Sequence, residues 1–326
     1  MIWNQPRLAI AALLVAMAAL QSCTDKTTAP PAPAVPSSEQ AFSPITIVHK
    51  LGTTVLKHRP QRVAVLDMNE VDFLDQLGVP VAGMVKDYVP HFLTRYKDDQ
   101  GIGDLGAIVQ PNLERVHALQ PDLILMTSIQ ANHYQELSQI APTVHFDVDY
   151  QNSESKHIEV VKQHLLTLGR IFGKEDVASR KAQELDARVA DARKVTRDRP
   201  EKALIVLHNN GAFSSFGVQS RYGFVFDALG VKPASSAIEA GLHGQPISSE
   251  FIQQANPDII YVVDRTAVME HRPVMTAEQM ANPLLRQTNA WKNGRVVFVD
   301  ADAWYITAGS VTSLQRVIDD VLKGYQ

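Results

Sequence analysis

Cysteine is almost missing. Cys23 is the only one in 326 residues, which excludes a disulfide within the chain and a metal site built on cysteine. Charge of one sign is not in excess either: 31 Lys and Arg face 35 Asp and Glu, and a net charge of −4 gives no basic surface for a nucleic acid. Leu8 to Leu20 is an apolar run, but it is too short to span a bilayer comfortably. Catalytic signatures are missing as well. There is no Gly-x-Ser-x-Gly elbow, His-Glu-x-x-His helix, Walker loop or dinucleotide fingerprint, and Ser214-Ser215 and Ser248-Ser249 stand in no nucleophile context, so no enzyme is expected. Nor do the histidines gather into a cluster that would hold bare zinc or manganese through three or four protein ligands.

What is present begins with an export signal. Arg7 gives a positive start, the apolar run follows, and Leu20-Gln21-Ser22-Cys23 stands where cleavage falls. A small residue before a lone cysteine resembles a bacterial lipobox. Residues 1–22 are therefore expected to be a signal peptide and Cys23 the lipidated end of the mature chain; a plain cleaved signal with an incidental cysteine is the alternative. Residues 23–44 turn to Thr, Ala, Pro and Ser around Ala29-Pro30-Pro31-Ala32-Pro33, a composition that builds no core and reads as an extended tether.

Beyond the tether, strands and helices alternate. Ile45 to His49 and Thr53 to Lys57 pattern as a hairpin, Arg62 to Leu66 as a buried strand, and Asn69 as the cap of a helix from Glu70 to Leu77 that stops at Gly78. An irregular aromatic and charged patch, Lys86 to Tyr96, has the makings of a pocket wall. Asn112 caps Leu113 to Leu119, and Asp122 to Met126 and Thr143 to Val148 are strands around a helix from about Gln130 to Ile140. Residues 45–154 are thus expected to form an α/β lobe with a largely parallel sheet. Helical periodicity fills residues 155–196, with a break near Gly169 to Gly173, and the pattern of the first lobe restarts in residues 197–326.

Two stretches carry the repeat. Asp72 to Val79 resembles Phe224 to Val231, and Leu113-Glu114 before Pro121-Asp122 matches Ser249-Glu250 before Pro257-Asp258 at the same spacing. Two similar lobes facing one another leave a cleft. The piece from Lys174 to Val195 would be roughly 30 Å long, enough for a strut between lobes; a peripheral helix on one lobe fits its periodicity nearly as well.

The chemistry concentrates between Gly241 and Tyr305. Glycines on both sides of His243 let a tight loop project its imidazole. Tyr261-Val262-Val263-Asp264-Arg265 reads as a buried strand with a cation at its tip, and Tyr305 follows a second apolar run, Val296 to Val299. An imidazole, a guanidinium and a phenol at one sheet edge make a kit for gripping a metal-bearing anion. For Arg265 a salt bridge with Asp264 or Asp302 is the bland alternative; His243 as an ordinary loop histidine and Tyr305 as a core tyrosine are the others.

With lipobox, tether, two α/β lobes and a long helix in place, the chain resembles the substrate-binding lipoproteins of bacterial iron-siderophore ABC importers. It is most similar to those that carry ferric catecholates, on Gly241 to Gly244, Ser249-Glu250-Phe251, Asn256-Pro257-Asp258, Val262 to Arg265 and Trp304-Tyr305. The resemblance implies a monomer whose lobes are joined by one long rigid helix and close little. It implies that His243 and Tyr305 ligate the iron of a bound siderophore, and that Arg265 and Arg221 contact the anionic ligand. It further implies that Glu114 and Glu250 meet arginines on a permease dimer, local stabilisation of their helices being the alternative. The cargo would be Fe3+ held by a siderophore, with no resident cofactor. There is one departure: where the family has a first-lobe arginine this chain has Ile129, leaving Lys86, Arg95, His133 or nothing in its place. Haem, cobalamin or another chelated metal are the rival cargoes, and an exported hydrolase using His243 and Asp264 is the rival from another class.

Overall fold

The computed structural model describes residues 42–148, 156–238 and 243–326. The expected signal peptide, Cys23 and most of the tether lie outside the described residues, as do Gly241, Leu242 and the boundary at residue 154.

The first lobe opens on an antiparallel hairpin, β1 (Ile45–His49) with β2 (Gly52–Leu56). Five strands then make a parallel sheet in the order β5-β4-β3-β6-β7: β3 (Val63–Val65), β4 (Gly83–Met84), β5 (Gly103–Asp104), β6 (Leu123–Met126) and β7 (Thr143–His145). β6 is buried at all its positions, as a parallel strand covered on both faces must be. Between the strands run α1 (Met68–Leu77), α2 (Thr94–Asp98), α3 (Leu113–Leu119) and α4 (Tyr134–Ile140). Helix α1 starts earlier than expected. Asp67, and not Asn69, is its N-cap, accepting the Asn69 N–H at 2.9 Å, while Gly78 ends the helix at φ +65° as anticipated.

The chain reaches its second sheet through α5 (His157–Phe172) and α6 (Glu175–Thr196). The latter has 22 residues, roughly 30 Å at the α-helical rise. It buries mostly small side chains, among them Ala178, Ala182 and Ala192, and packs on α5 and on the C-terminal helix. Gly169 permits that approach, because a Cβ there would stand 2.5 Å from that of Ala178.

The second sheet runs β11-β9-β8-β12-β13, with β10 beside the start of β8. Its strands are β8 (Lys202–Asn209), β9 (Ala212–Phe216), β10 (Lys232–Pro233), β11 (Gln245–Ile247), β12 (Ile259–Asp264) and β13 (Val296–Phe298). β8, β10, β12 and β13 are parallel, but β9 and β11 run against their neighbours, so this half is mixed where the sequence pattern suggested a copy of the first. Asn210 and Gly211, at φ +49° and +83°, make the tight turn that sends β9 back along β8. Among the described residues six α-helices complete the lobe: α7 (Gly223–Asp227), α8 (Ser249–Ala255), α9 (Arg265–Glu270), α10 (Ala277–Met280), α11 (Asn289–Lys292) and α12 (Val311–Lys323).

The start of α12 rests on the first lobe. Thr312 donates its N–H and its hydroxyl to Asp72 of α1 at 2.8 and 2.5 Å, and Gln76 donates to the Thr312 hydroxyl at 3.1 Å. The repeat seen in the sequence has a structural counterpart. α3 and α8 are each seven residues long, capped by Asn112 and Ser248, and end on left-handed Gln120 and Asn256. The aspartates that follow, Asp122 and Asp258, each accept backbone N–H groups at the start of a central strand, from Arg62 and Lys202.

Candidate functional site

The site grows from the carboxyl end of β12, where open α/β sheets leave a crevice. Asp264 closes that strand and caps α9. It is fully buried and accepts from the N–H groups of Ala267 at 3.2 Å and Met275 at 2.9 Å, with His208 Nδ1 at 3.1 Å and Arg272 at 3.4 Å. Burial pushes its carboxyl up, but these hydrogen bonds and the Arg272 charge outweigh it and hold the group below its ordinary value.

Arg265 is the first residue of α9, where the sequence placed it at a strand tip. Its expected partners are engaged elsewhere, Asp264 as described and Asp302 with His91. Among the described residues no carboxylate lies within ion-pair distance of Arg265. Its Nε donates to the Tyr305 hydroxyl oxygen at 2.6 Å and its Nη1 donates to Asn209 Oδ1 at 3.0 Å.

Tyr305 itself rides on a π-helical turn, Asp302–Thr307, a wide turn that is rare and concentrated at functional sites. The neighbouring Trp304 anchors it. The indole is fully buried beside Tyr222 and Tyr261 and donates to Asp320 at 3.0 Å, while Tyr222 donates its hydroxyl to the Trp304 carbonyl at 2.9 Å. With Trp304 fixed inward, Tyr305 comes out half-buried. Arg221, only 9% exposed at the start of the turn into α7, donates Nη2 to the Tyr305 carbonyl at 3.0 Å. Its guanidinium carbon lies 5.3 Å from the Tyr305 ring centre and that of Arg265 5.4 Å, so two cations flank one phenol.

Three of the four sequence-predicted ligand residues are thereby brought together. The fourth, His243, is exposed and makes no described contact with Tyr305. It stands just before β11, whose Gln245 pairs with Ser215 of β9. The glycine after it is demanded by space and conformation alike: Gly244 sits at φ +74°, and a Cβ there would approach the Ser215 carbonyl oxygen to 2.9 Å. From Ser215, β9 leads by residues 217–220 into Arg221.

The first lobe contributes differently than expected. Ile129 is 44% exposed on the 3-10 turn Ser128–His133, and two of its proposed substitutes are committed elsewhere. Lys86 donates to the carbonyls of Lys97 at 3.3 Å and Asp99 at 2.9 Å, and Arg95 pairs with Asp75. Besides Asn69, Asp72 and Gln76 of α1, first-lobe residues of the patch read as a pocket wall also reach the second lobe. His91 donates its N–H to Asp302 at 2.9 Å and places Nδ1 at 3.0 Å from the same carboxylate, and Tyr88 stacks on His271 with centroids 5.8 Å apart. Tyr88, His91, Thr94, His271 and Asp302 line a cavity of about 270 Å³ between the lobes. Tyr88 and His91 had no sequence signal beyond their place in that patch.

Residues 63–303 match the family model described as periplasmic binding protein. The ferric-anguibactin-binding protein FatB of Vibrio anguillarum is 66% identical over 284 residues, 87% of this chain and 88% of that protein. The solved structure of siderophore-binding protein BauB, bound to a complex between two molecules of acinetobactin and ferric iron, shares 68% identity with a TM-score of 0.84, over 87% of this chain and 99% of that one. The periplasmic catecholate-siderophore-binding protein VctP of Vibrio cholerae superposes with a TM-score of 0.79 at 29% identity, over 86% and 99% of the two chains.

Proposed function

The chain belongs to the periplasmic binding protein family, and from that premise we propose that it binds a ferric siderophore between its lobes and delivers it to an ABC importer. The observation that carries this reading is the Tyr305 phenol flanked by Arg221 and Arg265 at the end of β12. Ferric iron is a hard, six-coordinate ion that favours phenolate oxygen and also takes neutral imidazole. A siderophore with two catecholates fills four positions, and Tyr305 and His243 fill the other two. The complex is anionic, and Arg221 and Arg265 answer its charge with forked, charge-assisted hydrogen bonds. Relatives named for anguibactin and acinetobactin support a ferric cargo of this kind. The protein is a carrier and not an enzyme.

The remaining layout belongs to the same proposal. Residues 1–22 direct export, Cys23 takes the lipid that anchors the protein to a bacterial membrane, and residues 23–44 tether the lobes formed by residues 45–154 and 197–326. The helical residues 155–196 join them, and the contact of Thr312 with Asp72 keeps closure small. Titrating the purified protein with a ferric bis-catecholate, haem, cobalamin and zinc tests the cargo: saturable binding of the ferric complex alone is expected, and preference for any of the others overturns it.

Delivery needs a docking surface, and a monomer meeting a permease with two-fold symmetry is matched by one equivalent group on each lobe. Glu114 and Glu250 are exposed second residues of α3 and α8, the two helices with matching caps. Glu250 also reaches back to its own backbone N–H and to Ser248, which holds its carboxyl below the usual range. Docking predicts that Glu114→Gln with Glu250→Gln leaves siderophore affinity and Tm nearly unchanged while lowering uptake in cells, more than either single change. Normal uptake by the double variant assigns both glutamates to helix stabilisation.

A further inference from the structure

We infer that His157 is a positioning residue for the iron site, holding the turn that carries Tyr305; this rests on the reading of Tyr305 as an iron ligand. His157 begins α5 and is 3% exposed, about 150 positions from that turn in the chain. Its Nε2 lies 2.7 Å from the carbonyl oxygen of Ala308. A carbonyl only accepts, so Nε2 carries the proton, and Nδ1 is buried with no hydrogen-bond partner among the described residues. The ring is stacked on Phe224 of α7, with centroids 4.3 Å apart and planes within 10°.

Ala308 is where the π turn ends. Its N–H closes the last wide hydrogen bond, to the Ala303 carbonyl at 2.7 Å, and its φ of +31° is a conformation that a residue with a Cβ rarely adopts. Such backbone persists only where the surroundings over-determine it. Two groups from outside the second sheet do so. His157 donates to the Ala308 carbonyl, and Asn69 of α1 accepts the N–H of Gly309 at 3.1 Å. Tyr305 lies three residues before Ala308, and Phe224, stacked on a face of the imidazole, lies three residues after Arg221. One neutral ring therefore braces both the turn that aims the phenol and the helix that follows the cation beneath it. Burial, partly offset by the bond to Ala308, holds the imidazole at a pKa of about 4, so the donor tautomer persists at ordinary pH.

Three variants and two readouts test this. His157→Phe keeps a ring against Phe224 and removes the donor, His157→Gln returns an N–H near the place of Nε2, and His157→Asn is too short to reach Ala308. The readouts are the visible charge-transfer band of the protein with a ferric bis-catecholate, and Kd for tetradentate and hexadentate ferric complexes. His157→Phe is expected to shift the band towards that of Tyr305→Phe and to weaken tetradentate binding by about tenfold, the order of one hydrogen bond, with hexadentate binding within about threefold. His157→Gln is expected to keep the wild-type band. An unchanged band and Kd in His157→Phe, or in His157→Asn where the phenylalanine variant does not fold, overturns the positioning role. A Tyr305→Phe protein whose band matches wild type overturns the ligation reading instead, so the two failures are distinct.

Discussion

Tyr305→Phe is expected to weaken binding of a tetradentate ferric catecholate by about 100-fold, in line with the ~2–4 kcal/mol lost at a central anchor, and to change hexadentate binding only a few-fold. The contrast comes from coordination number. A hexadentate siderophore leaves iron no position for the protein, whereas a tetradentate one leaves two, and a phenyl ring cannot supply the hard oxygen that fills one of them. The substitution keeps the ring between Arg221 and Arg265 and the backbone bond from Arg221 to the Tyr305 carbonyl, so shape and charge survive. What disappears is one oxygen atom, together with the acceptor for Arg265 Nε. His243→Ala is expected to show the same preference for the tetradentate complex. Isothermal titration with both ligand classes measures it. Equal losses for the two classes would mean that Tyr305 and His243 shape the pocket without touching iron.

How much of this was legible before the structure depended on how local each feature is. Asn112 and Gly78 were found from sequence because caps and left-handed stops involve neighbours in the chain. Asp67 was missed for Asn69 because both residue types cap helices and only the fold tells which one turns outward. The turn at Asn210-Gly211 carried a recognisable hairpin signal that the expected repeat of the first lobe obscured. Arg265 and Tyr305 were legible through motif spacing. Their mutual hydrogen bond was not, since it joins the first turn of α9 to a π-helical turn 40 residues away. That turn has no sequence signature of its own: its end is fixed by His157 and Asn69 and its start by His91, contacts that only tertiary packing creates. The first-lobe cation could not be placed for the same reason. Lys86 and Arg95 look available in the sequence, and only the structure shows their partners.

Arg265→Ala is expected to weaken tetradentate and hexadentate complexes alike, by ~2–5 kcal/mol, the cost of removing one partner from a desolvated charged contact. Arg265 answers the negative charge of the complex, which both ligand classes carry, and not its vacant coordination positions. This guanidinium meets two neutral oxygens, those of Tyr305 and Asn209, and no carboxylate among the described residues. A cation held by neutral acceptors keeps most of its charge for an incoming anion, whereas one already paired with a carboxylate would have to give up that pair first. Asp264 illustrates the difference: its hydrogen-bond capacity is spent on His208, Ala267, Met275 and Arg272, leaving its neighbour in the chain unquenched. Because part of the attraction is long-range, wild-type affinity is expected to fall with added salt more steeply than that of Arg265→Ala. Arg221 is the poorer test of the same idea, since it is more deeply buried and supports the backbone of Tyr305, so its removal would disturb the turn as well as the charge. Titrations of wild type and Arg265→Ala at low and high salt decide the matter. Equal affinity and equal salt dependence would leave Arg265 as a prop for the Tyr305 hydroxyl and move the electrostatic capture of the cargo elsewhere in the cleft.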